Sequence, residues 1–196
     1  MRGQGMKLIV KQLESLGYDL TNYRALEFFA REGDWQTQIF YKKVAWLDAW
    51  EIDQSYEEKL RKNLPAANVK IGNSFILSKE LEFQNVFDLI VLDNPQNIYG
   101  EYCEHFEALN LIPNLMKSQA ILIFNVNRKP FNIDQSPKWK EKRLSFYGRD
   151  SSNLTINFLI EFYSKFFKNL NLTVNFSFDM QRNEDYLSYL VFGLAK

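Results

Sequence analysis

One segment constrains this chain more than any other: Phe87-Asp88-Leu89-Ile90-Val91-Leu92-Asp93-Asn94-Pro95-Gln96. Its apolar run includes β-branched residues and stops abruptly at a polar tetrad. A run that is apolar at successive positions has no face for water, so it reads as a strand buried on both sides of a sheet. The tetrad is then the loop at that strand's carboxyl end. In an open α/β sheet this is the edge where ligands bind, because the loops leave a crevice there.

A second segment, Ala25-Leu26-Glu27-Phe28-Phe29-Ala30-Arg31-Glu32-Gly33-Asp34-Trp35, runs from apolar residues into an acid and a turn with one glycine. About twenty residues on, Val44-Ala45-Trp46-Leu47-Asp48-Ala49-Trp50-Glu51-Ile52-Asp53 is another strand-like run tipped with acids. Strand, turn, helix and acid-tipped strand make up the nucleoside-binding half of a doubly wound fold. In that half the acid accepts hydrogen bonds from ribose hydroxyls.

The remaining pattern alternates in the same way. Helical stretches are expected at Met6–Ser15, Asp34–Tyr41, Ser55–Asn63, Tyr102–Leu115 and Leu154–Leu170. Asp34 is placed to cap the second helix, and Ser55 with Glu58 forms a capping-box pattern for the third. Strands are expected at Arg24–Phe28, Val44–Trp50, Asn68–Ile71, Phe87–Leu92 and Ala120–Val126, with a closing pair at Leu172–Met180 and Tyr186–Leu194. The 127–153 segment is rich in Lys, Arg, Pro and aromatics and breaks the alternation. It is the candidate inserted loop or lid. A single domain spanning 1–196 is expected, with residues 1–20 as its N-terminal helical extension.

The chain has 196 residues, enough for one sizeable core, and 46% of them are hydrophobic, which argues against disorder. Lys plus Arg equals Asp plus Glu at 24 each. The overall basic footprint of a dedicated nucleic-acid binder is therefore missing, although Lys129 to Arg143 is a local basic stretch. One cysteine, Cys103, excludes an internal disulfide and a multi-cysteine zinc site. The single histidine, His105, is two residues away, so on a helix the two point to different faces and form no nucleophile–base pair. No metal site is expected. The amino terminus has no apolar signal stretch and no run is long enough to span a bilayer, so the expected location is cytoplasmic, with no membrane partner.

Strand–helix alternation closed by a strand pair implies a mostly parallel sheet with an antiparallel edge. With the motifs above, the chain resembles the class I S-adenosylmethionine-dependent methyltransferases over roughly residues 23–196. The resemblance implies a Rossmann-like three-layer α/β sandwich, with a mostly parallel seven-stranded sheet and an antiparallel C-terminal strand. It also implies S-adenosylmethionine as the cofactor. In the branch that methylates exocyclic amines, the cofactor loop often reads Asp-x-Phe-Ala-Gly-x-Gly. Here Glu27, Phe29, Ala30 and Gly33 match it, and Arg31 replaces the middle glycine. Glycine serves there because backbone approaches the ligand closely or takes positive φ. Arg31 is expected to keep an ordinary conformation with its side chain turned outward, where the cofactor's carboxylate is a possible partner.

The resemblance implies further roles. Glu51 aligns with the ribose ligand, with Asp53 as competitor, and Asn73 and Ser74 follow the third strand, where the family places groups against adenine. Asp93-Asn94-Pro95-Gln96 resembles the Asp-Pro-Pro-Tyr signature, whose oxygens hold an acceptor amine toward the methyl group, so that catalysis is mainly positioning. Asn94 replaces the first proline and Gln96 the aromatic platform for a flipped base. Tyr99, Tyr102 and His105 are the acceptor-side candidates, His105 as a general base. The Phe158, Phe162, Phe166 stripe reads as core. The leading expectation is a methyltransferase acting on a nitrogen or oxygen acceptor, whether a small molecule, a nucleic acid or a protein. The second is a catalytically inactive domain of the same fold used for binding or assembly. A nicotinamide dehydrogenase fits poorly, since the turn lacks Gly-x-Gly-x-x-Gly. Oligomeric state is not encoded in any motif.

Overall fold

Seven strands form one sheet in the order β3-β2-β1-β4-β5-β7-β6. The computed structural model describes residues 3–93, 104–129, 137–182 and 186–196. The strands are β1 (Arg24–Phe28), β2 (Trp46–Glu51), β3 (Asn68–Ile71), β4 (Phe87–Leu92), β5 (Met116–Asn127), β6 (Thr173–Gln181) and β7 (Leu187–Ala195). Strands β1 to β5 pair in parallel, whereas β7 runs antiparallel between β5 and β6. This is the mostly parallel α/β sheet with an antiparallel C-terminal pair that the alternation implies.

Alternate residues of each strand face opposite sides, and each side has its own core. Leu26, Phe28, Ile90, Leu92, Leu122 and Phe124 pack into the first core. Ala25, Ala49, Leu89, Val91, Ile121 and Ile123 pack into the second. The second is covered by α1 (Gln4–Ser15), α2 (Thr37–Tyr41) and α3 (Glu57–Asn63), through residues such as Met6, Leu13, Phe40 and Leu60. The first lies under α4 (Ser74–Leu77), α5 (Glu104–Ala108), α6 (Ile112–Leu115), α7 (Pro137–Tyr147) and α8 (Ile156–Asn169). Thr155 caps α8 by accepting from Phe158 N at 3.2 Å. Leu159, Tyr163 and Phe167 form its fully buried stripe, while Phe158, Phe162 and Phe166 pack at the margin of the same core.

Some local expectations shift. The second helix begins at Thr37, and Gln36, not Asp34, stands at its N-cap without a side-chain bond. Ser55 forms no capping box. Asp53 accepts from Ser55 N instead and starts a 3-10 turn that leads into α3. The helix expected to run to Leu115 breaks into α5, a 3-10 turn and α6, with Pro113 in the first turn of α6. Proline suits that place because its missing N–H is not needed there. Within 127–153, Asn127 completes β5 and Pro137–Tyr147 is the helix α7. Its Trp139, Arg143 and Tyr147 are buried. Among the described residues no helix is long and apolar enough to cross a membrane.

Candidate active site

The carboxyl ends of adjacent strands β2, β1, β4 and β5 carry Glu51, Glu27, Asp93 and Asn125. Each lies two residues beyond an apolar residue of the second core, so strand alternation turns all four to that face. Glu27 pairs in register with Ala49 and Val91, one residue short of the end of β1. Asn125 lies opposite Tyr189 of β7.

Glu27 is buried, not solvated. Thr37 donates its hydroxyl to Oε1 at 2.9 Å, and Oε2 has no hydrogen-bond partner. Burial raises the Glu27 carboxyl well above its ordinary value. The Thr37 bond offsets part of this, and the nearby Asp93 and Glu51 carboxylates add to the rise. A buried acid with an unmet oxygen is a standing request for a donor.

Glu51 organises the loop after β1. Its Oε1 accepts from Ile52 N at 2.8 Å and Asp53 N at 2.9 Å, and its Oε2 accepts from Arg31 N at 2.7 Å. A carboxylate has about four acceptor positions, so one remains. Asp53, the competitor, is exposed and engaged by Ser55 N. Phe29 and Arg31 both take left-handed backbone, with φ of 59° and 49°. Arg31 therefore departs from the expected ordinary conformation, and its backbone N–H is held by Glu51. Its side chain does turn outward, over the Tyr56 ring at 5.3 Å. Ala30 N donates to Trp50 O at 3.0 Å. Gly33 combines φ of 60° with Leu60 and Leu64 so close that a Cβ would lie 2.7–2.8 Å from their methyls. A larger residue there would be strained and would have to push both leucines aside.

Asp93 sits in a closed network. Arg182, from the end of the β6–β7 hairpin, donates Nε to Oδ1 at 2.7 Å and Nη2 to Oδ2 at 3.2 Å. Tyr189 donates its hydroxyl to Oδ2 at 2.9 Å, and Asn125 donates Nδ2 to Oδ1 at 3.1 Å. All four acceptor positions are taken, so Asp93 has none left for an acceptor amine. Burial alone would lower the Arg182 guanidinium, but Asp93 and Tyr189 hold it above its ordinary value. Burial and Asp93 raise the Tyr189 phenol well above its own. The Arg182 guanidinium also lies 5.9 Å from the ring of Trp35, an aromatic that is 41% exposed at the rim.

His105 is not in this row. It is fully buried in the first core, with Nε2 3.1 Å from Tyr163 Oη and the Phe106 ring 4.3 Å away. Burial, then the Arg143 charge, hold its pKa well below the ordinary value. It is a neutral packed imidazole, which corrects its assignment as an acceptor-side base. Asn73 accepts from Phe75 N at 2.9 Å and caps α4, with Ser74 buried beside it. Asn94, Pro95, Gln96, Tyr99 and Tyr102 lie outside the described residues, as does Cys103. Among the described residues no three His, Cys, Asp or Glu side chains are grouped to hold a metal ion. The sequence reading missed Arg182, which sat in a stretch treated as a connector, and Tyr189 and Thr37. The available signal was Asn125, a lone amide inside the apolar run Ala120–Val126.

No family model matches the sequence, and no curated protein does either. Solved structures do match. TYW2 from M. jannaschii, in complex with AdoMet, superposes with a TM-score of 0.57 at 13% identity, over 100% of this chain and 78% of that one. A SAM-dependent methyltransferase from Leishmania major gives 0.60 at 15%, over 96% and 71%. The methyltransferase domain of bacterial Hen1 gives 0.60 at 13%, over 95% and 96%. The chain thus has the class I methyltransferase fold.

Proposed function

We propose that this protein is an S-adenosylmethionine-dependent methyltransferase acting on a nitrogen or oxygen acceptor. The observation that carries this reading is the row of Glu27 and Glu51 at the carboxyl ends of β1 and β2, flanking a tight left-handed loop. These residues suit the cofactor. Glu27 Oε2 is a buried acceptor that an ammonium group would satisfy, and Glu51 keeps one position for a ribose hydroxyl. Asn73 and Ser74 follow β3 on the adenine side, and Phe29, Ala30 and Gly33 form the loop backbone beside the ligand. When bound, adenosylmethionine supplies an electrophilic methyl group, and the protein's part is to hold donor and acceptor in line.

In this reading Asp93 anchors the tetrad loop and does not itself hold the acceptor. Its ion pair fixes the end of β4, and Asn94, Pro95 and Gln96, which lie outside the described residues, remain the proposed acceptor-binding residues. The fully engaged Asp93 and the two non-glycine left-handed residues also favour a second reading, a binding domain without catalysis. Calorimetric titration with adenosylmethionine and adenosylhomocysteine tests the cofactor. Labelling of pooled metabolites and RNA with a methyl-labelled donor then separates the two readings. Absence of binding would refute the first reading. Binding without any labelled product would favour the second.

A further inference from the structure

Three N–H donors at the carboxyl end of β5 have no acceptor among the described residues: Nδ2 of Asn127, Nε of Arg128 and Nη1 of Arg143. All three are shut off from solvent. Arg143 is fully buried, yet its other donors meet only neutral oxygens. Nε donates to Ser151 Oγ at 3.1 Å, and Nη2 donates to the carbonyls of Asn127 at 3.0 Å and Ser151 at 3.2 Å. The rings of Trp139 and Tyr147 lie 4.8 and 5.2 Å from its guanidinium carbon. Ring faces and neutral oxygens soften the burial of a cation but do not neutralise it.

Arg128 is half-buried and pinned by its backbone, which donates to Tyr186 O at 2.7 Å and accepts from Leu154 N at 2.8 Å. Neither arginine is paired with a carboxylate among the described residues. Native proteins leave few buried donors unmet, and each one calls for a reason. The two cationic ones share a side of the sheet, since Arg128 is two residues beyond Val126 of the first core and Arg143 is on α7, which covers that core. Their common complement is an oxyanion, which guanidinium groups bind with short charge-assisted bonds. The position adds to this. Strands β4 and β5 are parallel neighbours and Asn125 bonds Asp93, so this strand end lies on the Asp93 side of the proposed site.

We propose that the carboxyl end of β5 is an oxyanion-binding site in which Arg128 and Arg143 hold a phosphate or carboxylate group of the methyl acceptor. The acceptor part rests on the methyltransferase reading, whereas the anion site does not. The test is thermal unfolding of the whole chain in inorganic phosphate, in acetate and in chloride at matched ionic strength. The wild type and the variants Arg128→Met and Arg143→Lys are compared. Phosphate strengthens apolar burial in any protein, so the readout is the difference between wild type and variant. Phosphate should raise the wild-type midpoint over chloride by about 3 °C or more, as expected for a site near saturation. Arg128→Met should lose most of that rise while keeping its far-ultraviolet circular dichroism, and its calorimetric affinity for adenosylmethionine should stay unchanged. A rise in acetate equal to that in phosphate supports the site and assigns it to carboxylates, and a rise in phosphate alone assigns it to phosphates. No rise in the wild type, or an equal rise in folded Arg128→Met, overturns the proposal. If Arg143→Lys does not fold, the Arg128→Met comparison decides alone. An intact anion response without adenosylmethionine binding would remove the proposed function and leave the anion site standing.

Discussion

Arg182 and Asp93 are 9% and 7% exposed at their side chains, so neither can exchange its partner for water. Removing one member of such a pair strands the other charge, which typically costs about 3–5 kcal/mol. Arg182→Met should therefore lower stability by about 3–5 kcal/mol in urea unfolding, with an unchanged slope. The double variant Asp93→Asn/Arg182→Met should recover part of the loss, because the stranded charge is gone. Equal stability of Arg182→Met and wild type would show that the pair carries nothing. Glu51 is a different case, since its oxygens bind three backbone N–H groups and leave one position open. Glu51→Gln puts an N–H₂ where one oxygen was, facing at least one donor. Its affinity for adenosylmethionine should fall by about 1–3 kcal/mol in calorimetry. An unchanged affinity in the folded variant would remove Glu51 from the cofactor site.

At the scale of elements, α1 does more than cover the second core. A Cβ on Gly5 would lie 2.5 Å from Gln181 O and 3.1 Å from the Cα of Arg182, so helix and hairpin backbones touch there. Gly5→Ala sets two effects against each other. Alanine gains about 0.5–1 kcal/mol of helix propensity, while forcing a methyl against packed backbone costs about 1–3 kcal/mol. The steric term wins, and Gly5→Ala should lower the unfolding midpoint while exposed Gln4→Ala leaves it nearly unchanged. Contacts of this kind explain which elements the sequence made legible. Strands β1, β3 and β4 were expected with the bounds they have; β1 and β4 are buried on both faces, and apolar runs mark such strands, whereas β3 is a partly exposed edge strand. Glu27 and Glu51 were visible as acids inside and at the end of otherwise apolar strand-like runs. The Arg182–Asp93–Tyr189 network was not, since it joins residues as many as 96 apart and leaves no local pattern. Helix α7 was also missed, because its buried face is made of Trp139, Arg143 and Tyr147, and an arginine breaks the apolar period.

For the molecule as a whole, two buried groups set opposing responses to pH. His105 is neutral in the fold, its pKa pushed well below that of the unfolded chain by burial and by Arg143. The unfolded state takes up this proton first, so stability falls as pH drops below about 6.5. Glu27 is displaced in the other direction, its folded pKa raised well above 4.5 by burial and by the Asp93 and Glu51 charges. Between the unfolded and folded values the native state binds more protons than the unfolded one, so this group lowers stability as pH rises through that window. Glutamine at position 27 keeps an oxygen for the Thr37 hydroxyl and has no proton to lose. Any cost of its unpaired N–H₂ is independent of pH. The stability of Glu27→Gln minus that of wild type should therefore be smallest near pH 4.5. It should climb with pH and level off above the folded Glu27 pKa. Urea unfolding of both proteins at intervals from pH 4.5 to 9 measures this, and the subtraction removes His105 and every other shared group. A flat difference across that range would mean that Glu27 titrates as an ordinary carboxylate, despite its burial.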